Sequence, residues 1–168
     1  MKPTRTTHTR RMPRLLRRWR MALGHMASWK FIVLLLVLTF AAKVLALLLF
    51  GLTAGIDDAD TDSNRAERVG WFVAVILAPL IETLIAQALV IRIVRWAAPA
   101  SFLLPVVVSA ILFGCGHAAS PLYAVCMFFV GLVWAFAYLS RLERRGFAQA
   151  FWLVAAVHAL NNSLAFII

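Results

Sequence analysis

A chain of 168 residues suffices for one domain and is short for two. It is 63% hydrophobic and only 14% charged, whereas a soluble domain carries about a quarter charged residues. The surplus apolar surface therefore belongs in lipid. The net charge of +10 raises nucleic acid as a partner, but nine of the 17 Lys and Arg fall in residues 1–30, and no soluble module remains to read a nucleic acid once the apolar runs are removed.

Residues 1–30 hold no acid, and Met12, Leu15, Leu16, Trp19, Leu23 and Met26 recur at helical spacing with Arg14, Arg17, Arg18 and Arg20 interleaved. That pattern predicts a basic amphipathic helix lying on an anionic leaflet. The first span is expected over 31–50, close to the roughly 20 residues a bilayer core needs. Lys43 inside it is expected to snorkel toward the nearer interface. The segment 51–70 carries Asp57, Asp58, Asp60, Asp62 and Glu67 and is the chain's acidic stretch. Further spans are expected over 71–91, 102–119, 122–140 and 147–167. Cationic segments at the N-terminus, 92–100 and 141–146 alternate with neutral or acidic ones, which predicts a cytoplasmic N-terminus. The fold class that follows is all-α, a polytopic transmembrane bundle of about five spans. Its expected units are 1–30, 31–50 and a four-helix domain over 71–168. A multi-pass protein of a bacterial inner (plasma) membrane is the expected setting. Cys115 and Cys126 sit in separate apolar runs, so no disulfide framework is expected.

Four polar residues interrupt the apolar spans. Glu82 lies mid-span, His117 ends the third span, and His158 and Asn162 stand four apart on one face of the fifth. A charge at mid-bilayer costs about 2.5–3.5 kcal/mol on insertion scales, so such a residue is a functional candidate by default. Pro79, three residues before Glu82, removes an amide donor and disturbs the helix there. Ser109, Phe113 and His117 share a face, beside a ridge of Ala110, Gly114 and Ala118 that admits a close helix neighbour. A carboxylate, two imidazoles and an amide are the inventory of acyl transfer: a base for water and donors for an oxyanion. Glu82, His117 and His158 are equally a zinc donor set. Using Glu82 as a ligand, however, leaves no second carboxylate in the spans to act as base, and no H-E-x-x-H occurs. Cys115 is two residues from His117 and points away from it.

The three motifs are Pro79-Leu-Ile-Glu82-Thr83-Leu-Ile-Ala-Gln87, Phe113-Gly-Cys-Gly-His117 and His158-Ala-Leu-Asn-Asn162. In this order the chain resembles the CPBP family, the CAAX protease and bacteriocin-processing intramembrane peptidases also called Abi, over about residues 71–168. Type II CAAX prenyl endopeptidases belong to that group. The family pattern is E-E-x-x-x-R, F-x-x-x-H and H-x-x-x-N; here Thr83 replaces the second Glu and Gln87 the Arg. The double change removes an ion pair without stranding a charge, and it reads as a hydrogen-bonded clamp between two neutral residues. The resemblance implies an intramembrane endopeptidase in which Glu82, helped by His117, activates water, while His158 and Asn162 hold the oxyanion; the family is often labelled metalloprotease, and it is the single carboxylate of the spans that favours a metal-free glutamate peptidase here. Thr83, Gln87 and Phe113 support them. The implied substrate is a membrane-associated protein or peptide. Two rivals use the same residues: an inactive membrane partner or immunity protein that keeps the fold, and a proton-relaying transporter, which the absence of inverted repeats disfavours.

Overall fold

The computed structural model describes residues 12–51 and 70–165. The acidic segment 52–69, the basic residues 1–11 and the last three residues lie outside them. Six helices follow in order: α1 Arg14–His25, α2 Ser28–Phe50, α3 Val73–Ala97, α4 Leu103–Gly116, α5 Pro121–Arg145 and α6 Phe147–Ala165. The described residues form an all-helical bundle, as the apolar periodicity predicts.

Among the described residues, α2, α3 and α5 are long and apolar enough to cross a membrane. The expected third span is shorter than anticipated. α4 has 14 residues, which at about 1.5 Å each reaches only about two thirds of a bilayer core. α6 has the length, 19 residues, but its apolar run is diluted by Gln149, His158, Asn161 and Asn162. The polarity that makes α6 interesting is what weakens it as a span. Both helices pack within the bundle beside α5.

α5 is the axis of the fold. Ser120 caps its start, the hydroxyl accepting from the amide of Tyr123 at 3.1 Å, with Pro121 supplying a pre-set first turn. Its end is made by Gly146 at φ 82°, a conformation that only glycine adopts cheaply, so α6 can follow at once. Between these ends Trp134, Tyr138, Val130 and Leu139 are fully buried against Phe31, Leu35, Val154 and Val157 from α2 and α6. α4 lies very close to α5. A Cβ on Gly131 would sit 3.0 Å from the Cα of Ala110, and one on Gly114 would sit 2.8 Å from the carbonyl oxygen of Ala124. The small-residue ridge read from the sequence therefore does its work at Ala110 and Gly114.

The amphipathic N-terminal helix is present, and α5 holds it by charge. Arg20 pairs with Glu143 at 2.6 Å, and Arg95 approaches the same carboxylate at 3.6 Å. Arg141, expected as a solvated topology charge, is only 1% exposed. Its guanidinium donates to the carbonyls of Leu23 and Met26 at 3.3 and 2.6 Å and to the hydroxyl of Ser28 at 3.3 Å. It thus closes the C-terminal end of α1, where orphan carbonyls and the helix dipole favour a cation.

α3 departs from regular helix in a way that bears on the site. Two π-helical segments, Val73–Leu77 and Thr83–Leu89, flank a short α-helical turn, Ala78–Glu82. In both, an amide reaches five residues back, Ala78 to Val73 and Val90 to Ile85. Pro79 has no amide to give to the preceding turn, so a widened helix around it is the expected response. The buried residues of α3 include Val75, Pro79, Thr83, Gln87 and Ile91, a strict repeat of four. In a regular α-helix that repeat drifts by about 40° per step; the wider π turns cancel much of the drift and keep one stripe facing the bundle.

Candidate active site

Glu82 stands where the α-helical turn of α3 meets its second π segment. Its Oε2 lies 3.4 Å from Nε2 of His117 and 3.6 Å from Nε2 of His158. Three helices, far apart in sequence, thus bring a carboxylate oxygen and two imidazole nitrogens to one point. His158 is 4% exposed at its side chain, His117 18% and Glu82 35%, so the cluster has a closed side and an open one.

Each imidazole is locked differently. His117 ends α4, and its Nδ1 is 2.8 Å from the carbonyl oxygen of Phe113. A carbonyl only accepts, so Nδ1 carries the proton and Nε2 is left facing Glu82. Phe113 also packs against His117, with ring centroids 4.5 Å apart and the planes tilted by 46°. The phenylalanine of F-x-x-x-H thereby fixes both the tautomer and the plane of the histidine. His158 is gripped by aromatic rings, Trp134 at 4.4 Å and Phe113 at 5.9 Å between centroids. Trp134 is itself tethered, its indole donating to Thr39 of α2 at 2.8 Å, and Thr39 donating on to the carbonyl of Leu35 at 2.7 Å. Nothing in the sequence marked Trp134 or Thr39 as supports.

Asn162 is placed by backbone. Its amide nitrogen donates to the carbonyl of Ala74 in the first π segment at 2.9 Å, and its oxygen accepts from Asn161 at 3.2 Å. Asn161 in turn accepts from Nζ of Lys43 at 3.0 Å. Lys43 therefore does not snorkel away from the bundle: it turns inward, over the ring of Phe40, to the third motif. The clamp expected between Thr83 and Gln87 is also not what forms. Both side chains are fully buried, yet the Thr83 hydroxyl and both amide atoms of Gln87 have no hydrogen-bond partner among the described residues. Ser109, on the same face as Phe113, is occupied with the carbonyl of Ala86 at 2.6 Å, which ties α4 to the second π segment.

The remaining serine and thiol candidates lie apart from this cluster. Ser140 and Ser163 each bond the carbonyl four residues back, and Cys115 is an exposed free thiol.

A helical bundle with membrane-length apolar helices, and a partly buried carboxylate set beside two histidines, is the build of an integral membrane protein. The family model for type II CAAX prenyl endopeptidases, described as Rce1-like, matches residues 64–164. That is more than half of the chain, and the chain belongs to this family of membrane-embedded proteases, whose setting is the bilayer and whose substrates are peptides. No curated protein and no solved structure matches the chain.

Proposed function

We propose that this chain is an intramembrane endopeptidase that hydrolyses a peptide bond of a membrane-associated protein or peptide, with Glu82 as general base. The observation that carries this reading is the convergence of Glu82 Oε2 with Nε2 of His117 and His158 at 3.4 and 3.6 Å. With its proton held on Nδ1 by Phe113, His117 offers a lone pair at Nε2. A water donating one hydrogen to that nitrogen and the other to Glu82 presents its own lone pair outward, toward a scissile carbonyl. Glu82 takes the proton as the oxygen attacks, and later returns it to the leaving amine. His158, through Nε2–H, and Asn162, through its second amide hydrogen, are the donors for the oxyanion.

Catalysis without a metal is part of the proposal. Glu82, His117 and His158 have the donor chemistry zinc accepts. Should zinc bind there, these three residues would hold it, and the metal would supply a polarised water. Among the described residues, Glu82 is the carboxylate available beside the histidines, because Glu143 is engaged with Arg20 and Arg95 at another place. Cytoplasmic placement of the N-terminus belongs to the same reading, supported by the acid-free basic segment 1–30.

The test compares membrane peptide profiles of cells carrying wild type and Glu82→Gln. Loss of specific cleavage products in Glu82→Gln, by about a hundredfold or more, with wild-type cleavage unchanged in chelator, is the expected result. Identical profiles would favour the inactive-partner reading instead. Loss in chelator and recovery on adding zinc would turn the proposal into a metalloprotease.

A further inference from the structure

We propose that Lys43 is a positioning residue of this active site, acting through Asn161 on Asn162. The inference rests on the reading of Asn162 as an oxyanion donor. Lys43 comes from α2, which lies outside the residues that match the family, 64–164. The family's site is here completed by a helix that precedes it.

The chemistry runs in one direction along a chain of three hydrogen bonds. An ammonium can only donate, so the atom of Asn161 that meets Nζ at 3.0 Å is its oxygen. A flipped Asn161 would set an NH2 group against the ammonium. With Asn161 fixed, its amide nitrogen faces Asn162 at 3.2 Å, and the atom it meets must be oxygen. Asn162 is then obliged to turn its own NH2 to α3, where one hydrogen goes to the carbonyl of Ala74 at 2.9 Å. The cation and the Ala74 carbonyl, at opposite ends of the series, thus both fix which way the two amides point. Without the cation, the Ala74 carbonyl alone has to hold both amides in the orientation that presents Asn162 as a donor.

The same chain also tunes donor strength. Each hydrogen bond accepted by an amide oxygen polarises that amide and makes its N–H groups better donors. A full positive charge at the head of the series is the strongest start such a chain can have. Asn161 is 6% exposed, so little solvent competes for it. A lysine within an apolar span is expensive, and α2 carries no other charge between Phe31 and Phe50. Orientation of the third motif is a return for that cost that snorkelling would not give.

The test uses the full-length chain in liposomes with a quenched fluorogenic farnesylated CAAX peptide as probe, and the 15N-labelled chain in micelles. In Lys43→Met, kcat is expected to fall about tenfold, the effect of weakening an oxyanion donor without deleting it. KM should stay within about twofold, because the interaction is made in the transition state. Lys43→Arg should recover most of the rate. Asn161→Leu should lose as much as Lys43→Met, and the double variant no more than either, as for residues acting in series. The carboxamide 15N signal of Asn162 should move in Lys43→Met and return in Lys43→Arg. Unchanged kcat, losses that multiply in the double variant, or a change in KM alone would each overturn the proposal. Should Lys43→Met not fold, Asn161→Leu carries the same readouts with the lysine in place. If the peptide is not cleaved by wild type, the Asn162 signal decides, and its failure to move in Lys43→Met or Asn161→Leu is the negative. The two readings fail separately: inactive Glu82→Gln beside fully active Lys43→Met sinks only the relay, whereas active Glu82→Gln sinks the base.

Discussion

The two ends of the α5 axis treat buried polarity in opposite ways. At the end that holds α1, Arg141 is buried but gives hydrogen bonds to three backbone carbonyls and a hydroxyl, and Glu143 is shared between Arg20 and Arg95. At the Glu82 end, the Thr83 hydroxyl, the Gln87 amide and Nδ1 of His158 are buried with no hydrogen-bond partner among the described residues. The first end is a joint whose charged groups are paired, with Nε of Arg141 the one atom of that guanidinium left without a hydrogen bond among the described residues. The second leaves polar capacity uncommitted, at a cost in stability of the kind usually retained only where chemistry needs it.

That contrast can be broken at three points. The largest effect is expected at the joint: Arg141→Ala removes bonds from a charged donor to the end of α1. It should destabilise the folded chain by about 3 kcal/mol in reversible SDS unfolding, while the fraction that remains folded keeps its cleavage rate. A loss of rate per folded molecule would mean the joint and the site are one unit. Next comes the contact between α4 and α5. Gly131→Leu pushes into Ala110 and Phe113, whose Cβ is 3.3 Å from the added carbon. A destabilisation of about 2 kcal/mol is expected from overpacking. Here cleavage should fall as well, because Phe113 carries His117. The smallest effect has the opposite sign. Gln87→Leu replaces a buried, unbonded amide with an apolar isostere and should stabilise the chain by about 1 kcal/mol. Destabilisation in the same unfolding measurement would show that Gln87 is satisfied after all.

Much of this was legible in the sequence, and the gaps have a common cause. The apolar runs announce a helical bundle because lipid tolerates no other open structure. Glu82, His117, His158 and Asn162 announce themselves because polarity in such runs is costly. The structure brings Glu82 to both histidines, and it places Asn162 on the backbone of α3. Lys43 and Arg141 were read by rules for isolated helices, snorkelling and loop charge, and both rules fail for the same reason. Their partners, Asn161 and the carbonyls at the end of α1, are 118 and 115–118 residues away. A helix-by-helix reading has no means of offering a buried cation a partner that distant. Trp134 and Thr39 escaped for a similar reason, since a tryptophan in an apolar span carries no signal until the histidine it stacks on is known. Of the departures at Thr83 and Gln87, the neutral pair is real and the hydrogen bond between them is not.

The widened turns of α3 have a bearing on how this helix tolerates change. A π turn holds one more residue than the α turn it replaces, so α3 is in effect a helix with extra residues accommodated in place. The buried stripe from Val75 to Ile91 and the side-facing Glu82 are in phase only because those residues are counted in. Deleting a single residue between Thr83 and Leu89 would let that segment relax to ordinary helix without loss of a hydrogen bond or an apolar contact along its own length. Everything beyond the deletion would keep nearly the same angle to Glu82, because the residue lost is the one the π turn held in excess. The carboxylate and the basic end of α3 would go on facing their separate partners, so this segment absorbs a deletion that would throw a regular helix out of phase.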